Sequence, residues 1–168
     1  MSILKVDTIN EKTSGNGVQI AGHVVQVGHT YNHQVSSHQS VSSTTLVGSG
    51  VTCVLTPKST SNKFIVSFTT SMAQGNATAA WLSGAMKYKI GSGSYVYVDD
   101  VTDNNQPYSM GYSDSGNKYA PLTFTGEVDI TSTSAYTFEP HFRTDDGSLG
   151  RWCHIRGSYS LLVMEIAQ

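Results

Sequence analysis

Charge is what this sequence has least of. Asp, Glu, Lys and Arg make up 13% of its 168 residues, about half the usual share of a soluble domain. The net charge is −2, and the densest basic stretch, Arg143 to Arg156, also holds Asp145 and Asp146. That excludes nucleic-acid binding by phosphate neutralisation, which needs a basic face. No apolar run approaches the roughly 18 residues of a helical membrane span, so membrane insertion is not expected. The opening MSILKVDTINEK lacks the basic-then-apolar order of a secretory signal, and synthesis in a cytoplasm is the expectation. There are two cysteines, Cys53 and Cys153, both in strand-like runs. Without a CxxC or a nearby histidine pair they read as buried thiols rather than as a zinc site or a disulfide.

Ser, Thr, Gly, Asn and Tyr take the place of the missing charge. Thr, Tyr and Val fit a pleated surface, while Gly and Asn supply tight turns. Apolar residues recur with period two in Phe64, Val66, Phe68, in Leu122, Phe124, Val128, Ile130, and in Tyr136, Phe138, Phe142. Pro140 reads as an edge position or a bulge. Gly91-Ser92-Gly93 suits a hairpin loop between Ala80–Ile90 and Tyr95–Val98. Ser158 to Ile166 is nearly all apolar, as in a strand covered on both faces. The one helix-friendly stretch, Ala73 to Ala85, is broken by Gly75 and Gly84. The pattern predicts an all-β fold, an antiparallel β-sandwich of jelly-roll type preceded by a short N-terminal hairpin or extended segment.

Residues 1–22 form that segment and residues 23–168 the head. In the segment, Leu4, Val6 and Ile9 are separated from Val18 and Ile20 by a polar turn ending in Gly15-Asn16-Gly17. A hairpin this small cannot bury its own apolar side chains, so these five residues are candidates for docking onto a partner. From His23 to Val35 the odd positions are bulky and the even ones mostly polar, which predicts one long strand. His23, His29 and His33 then share a face. His29 and His33 would lie about 13 Å apart along it, too far to ligate one ion within a chain. Only across a three-fold axis would copies of one histidine converge, and structural polar positions are the simpler reading.

A catalytic apparatus is missing from the motifs. There is no G-x-S-x-G and no H-E-x-x-H. Asp99-Asp100 and Asp145-Asp146 could supply a glycosidase pair, yet aspartates in such stretches ordinarily support turns. Asp99 to Asn105 lacks the glycine and the closing glutamate of a calcium loop. The expectation is a protein that is not an enzyme and holds no cofactor or metal.

The opening Ser2 to Ile20, continued by Gly22, resembles a segment near the start of virion proteins from tailed phages of marine bacteria, cyanobacterial phages in particular. Gly157 to Ala167 is similar to the end of the same proteins. The resemblance implies a homotrimeric appendage of the tail-fibre or head-fibre kind, located in the virion, with an N-terminal anchor on other capsid or tail proteins and a C-terminal β-sandwich head. The first functional reading of such an appendage is recognition of a host-surface glycan or protein through head loops. The loop from Asp99 to Lys118 is the candidate: Tyr108, Tyr112 and Tyr119 to stack on sugar faces, Asn104, Asn105 and Asp114 to hydrogen-bond them. A capsid decoration protein without receptor role is the alternative reading, and a carbohydrate-active enzyme a more distant one.

Overall fold

The computed structural model describes residues 21–73, 81–98, 109–112 and 120–168. Among them the chain forms strands and no helix. The strands are β1 (Val24–Asn32), β2 (Gln39–Val41), β3 (Val47–Gly48), β4 (Cys53–Leu55), β5 (Lys63–Ala73), β6 (Trp81–Ile90), β7 (Val96–Tyr97), β8 (Ser109–Tyr112), β9 (Ala120–Asp129), β10 (Tyr136–Thr144), β11 (Gly150–Cys153) and β12 (Tyr159–Ile166). A four-stranded sheet runs β1-β12-β5-β9, and a second sheet runs β3-β10-β6-β7, with β4 also on β10 and β8 on β6. The short pair β11-β2 stands apart. Every pairing is antiparallel. The fold is all-β and sandwich-like.

The period-two sets fill the space between the sheets. Phe64, Val66 and Phe68 from β5 and Leu161 and Val163 from β12 meet Tyr136, Phe138 and Phe142 from β10, all at most 1% exposed. Phe64 meets Phe138 edge-on at 5.3 Å, and Phe142 stacks on Trp152 at 5.1 Å, geometries that aromatic quadrupoles favour. Gly84 of β6 lies under this cluster, where a Cβ would sit 2.5 Å from Phe124 Cζ. Cys53 and Cys153 are separate buried thiols, and burial pushes both pKa values up.

Two sequence expectations change. Pro140 occupies an inner strand, not an edge or bulge: β10 pairs with β6 along its whole length. Its other side is divided between β4, opposite Tyr136–Phe138, and β3, opposite His141–Phe142. The Pro140 carbonyl accepts Ser49 N at 3.0 Å, so the missing N–H faces the break between β3 and β4, where no ladder bond is lost. The residues read as helix-friendly instead end β5 and begin β6, with residues 74–80 outside the described ones.

Among the described residues two carboxylates are buried. Glu165 of β12, 0% exposed, accepts from Lys58 N at 2.9 Å, Ser59 N at 3.3 Å, Asn62 Nδ2 at 2.6 Å and the Gln26 amide. It thereby ties the turn at Pro57–Asn62 and strand β1 to the sheet. Glu139 of β10, 8% exposed, accepts Gly50 N at 2.7 Å and bonds the Tyr95 phenol. Beside it lies His141, its Nε2 3.8 Å from Glu139 Oε2 and its ring 4.9 Å from that of Tyr95.

Burial holds the His141 pKa below the ordinary histidine value, with Lys87 adding to the effect and Glu139 and the Leu46 backbone opposing it. The folded state thus keeps this ring neutral where the unfolded chain takes up a proton, near 6.5. The unfolded state binds more protons in that window, so stability falls as pH drops below it. His141→Gln should flatten that slope. Urea midpoints at about pH 7.5 and pH 5.5 should differ less for the variant than for the parent chain. An equal difference in both would remove His141 as the cause.

Candidate functional site

The site begins with an inverted strand. β1 pairs only with β12 among the described residues, and its even positions from Gln26 to Thr30 face the other sheet. Gly28 closes on Cys53 and Leu55, where a Cβ would lie 2.6 Å from Cys53 Sγ. Thr30 Oγ1 donates to Thr52 O at 2.8 Å, and Gln26 donates to Thr56 O at 2.7 Å as well as to Glu165. The small and polar side of β1 therefore points inward. Its bulky side points out, leaving Val27 56% and Tyr31 64% exposed. A strand at the edge of a sandwich ordinarily shows the opposite polarity.

Register extends this outward face across the sheet in rows. Val27 lies opposite Met164, which lies opposite Ile65, then Glu127. The next row is His29, Leu162, Ser67 and Thr125, and the next Tyr31, Ser160, Thr69 and Thr123. On the other side of Val27, beyond a bulge, Val24 pairs with Ile166 and is 44% exposed. The result is an apolar patch of Val24, Val27, Ile65, Leu162, Met164 and Ile166 toward one end of β1 and β12. It grades into hydroxyls toward the other end and into the Lys63–Glu127–Asp129 ion pairs at β9. The final strand, expected to be covered on both faces, is buried on one and half-buried on the other.

The histidines separate. The register shift between Val24 and Gln26 reverses the alternation, so His23 does not share the face of His29, contrary to the uninterrupted strand expected from the sequence. His29 stacks on Tyr31 with ring centroids 5.2 Å apart and sits 2.8 Å from Ser160 Oγ through Nε2. His33 falls past the end of β1 and lines a groove of about 210 Å³ with Tyr31, Thr69, Ser71 and Ser160. Among the described residues no three His, Cys, Asp or Glu side chains are placed to hold a metal ion.

Most of the sequence-predicted contact residues are not among those described. Leu4, Val6, Ile9, Val18 and Ile20 lie outside the described residues, as do Asn104, Asn105, Tyr108, Asp114 and Tyr119. Tyr112 closes β8, its backbone opposite Trp81 of β6. Sequence reasoning did not single out Met164 and Ile65 as surface residues, because alternation defines two faces without saying which is inside. Gly28 carried the missing signal: a glycine amid the even set of a strand marks a close approach on that side.

No family model matches this chain, and no curated protein matches it either.

Proposed function

We propose that the chain is a structural virion protein of a tailed phage, one-third of a short homotrimeric fibre. In this reading residues 1–22 attach it to capsid or tail proteins, and the outward face of β1 and β12 packs against its own copies. The observation that carries the assembly half is the inverted polarity of β1. Two valines, Val24 and Val27, and Tyr31 on this edge strand are left to water while the strand's amide and hydroxyl groups point in. Burying one such side chain fully is worth roughly 1.5–3 kcal/mol, and a patch of this kind ordinarily marks a contact surface. A closed ring of copies uses it without leaving an open end that would polymerise. The resemblance of Ser2–Ile20 to phage virion proteins carries the anchoring half. Host-surface glycan contact through the loop containing Asn104 and Tyr108 belongs to the same proposal.

Light scattering on the full chain at micromolar concentration should give the mass of three copies. Val27→Asp together with Met164→Asp should give one copy with an unchanged far-UV spectrum. A parent chain that is monomeric under those conditions refutes the assembly surface. Normal incorporation into particles after removal of residues 1–22 refutes the anchor.

A further inference from the structure

The opposite sheet carries a second outward-facing feature, built from charge instead of apolar area. Along β10 and β6 the register sets Glu139 opposite Lys87, His141 opposite Ala85 and Arg143 opposite Ser83. A pocket of about 250 Å³ is lined by Thr44, Thr45, Leu46, Lys87, Tyr97 and Arg143. Two of those six side chains are cations and none is an acid.

The nearest carboxylate on the register is already engaged. Glu139 turns to Gly50 N and Tyr95, and Glu127 and Asp129 pair with Lys63 on the other sheet. Arg143 Nε is buried and finds no acceptor among the described residues. Lys87 Nζ lies 4.4 Å over the Tyr97 ring, a cation–π attraction rather than an ion pair. Burial holds the Lys87 pKa below the ordinary lysine value. A partly desolvated ammonium and a guanidinium with a buried idle donor thus line one small space. An oxyanion held there would balance both charges and accept from the idle donor.

The rest of the lining narrows what carries that anion. Thr44 and Thr45 present hydroxyls that donate and accept. Leu46 and Tyr97 present apolar surface, and the space is larger than a bare tetrahedral ion requires. We propose that this pocket binds a sugar acid, with its carboxylate between Arg143 and Lys87 and its ring hydroxyls toward Thr44 and Thr45. The site lies on the sheet opposite the proposed assembly face and does not depend on that reading.

Titration of the full chain with sodium glucuronate at low salt, followed by NMR or calorimetry, tests it. Saturable binding that weakens as sodium chloride is added is expected. Arg143→Gln and Lys87→Gln should each weaken it about tenfold or more, with Arg143→Lys intermediate because one charge remains without the fork. Val27→Asp should leave it unchanged. Absence of saturable glucuronate binding overturns the proposal, and so does undiminished binding by either glutamine variant. Lys87→Gln serves if Arg143→Gln fails to fold. Equal binding of glucose would show that charge plays no part, and equal binding of sulfate that the ring plays none; either result also overturns the assignment.

Discussion

Replacing Glu165 by glutamine is expected to destabilise the fold by about 2–4 kcal/mol. The carboxylate is fully buried and everything around it donates: two backbone amides of the Pro57–Asn62 turn, the Asn62 side chain and the Gln26 side chain. Hydrogen bonds to a charged acceptor are roughly twice as strong as neutral ones. A carboxamide keeps one acceptor and puts an NH2 group against the remaining donors, so at least one pair becomes donor against donor. For a chain of this size the loss corresponds to a fall in Tm of roughly 5–15 °C, readable by circular dichroism. An unchanged Tm would mean that the turn finds other acceptors. The effect should also reach the edge strand, because Gln26 belongs to β1 and is held by the same carboxylate.

The second large effect is expected from adding a single carbon. Gly84→Ala places a Cβ 2.5 Å from Phe124 Cζ and 2.7 Å from Phe142 Cδ1, well inside contact distance. Those rings have little freedom to yield. Phe142 stacks on Trp152, and Phe124 stacks on Phe68 at 5.9 Å, in an interior packed at crystal-like density. Overpacking of this kind ordinarily costs about 1–3 kcal/mol, against a gain of roughly 0.5–1 kcal/mol from replacing glycine within a strand. Urea unfolding should show a lower midpoint with an unchanged slope. Phe142→Leu, combined with Gly84→Ala, should cost less than the sum of the two single changes. Additive costs would place the strain elsewhere.

The fold class was legible because period-two alternation is a local signal, and here it is clean. Phe64, Val66 and Phe68 are written inward and are inward. What stayed illegible depends on partners far away in sequence. Glu165 looks like a polar interruption near the end of an apolar strand until the amides of Lys58 and Ser59 come to meet it. Pro140 argued for an edge until the break between β3 and β4 supplied a gap for its missing N–H. The bulge at Val24–Gln26 has no residue that demands it, so alternation alone puts the three histidines on one face. Arg143 and Lys87 lie on separate strands, and only register brings them to one pocket. The contact residues expected from the sequence, Leu4 through Ile20 and Asn104 through Tyr119, lie outside the described residues except for the backbone of Tyr112.

The pairing of β1 with β12 also governs how the molecule comes to be folded. It joins residues near the two ends of the described chain, and at its margin Gly22 N reaches Ala167 O at 2.7 Å. Closing so long a loop is entropically late, and topologies of high contact order fold slowly. Leu162, Met164 and Ile166 therefore spend the search unshielded on one side, and the nascent edge of β12 is open until β1 arrives. The strand that leaves its valines outward in the finished head is thus also the shutter over the stickiest strand during folding.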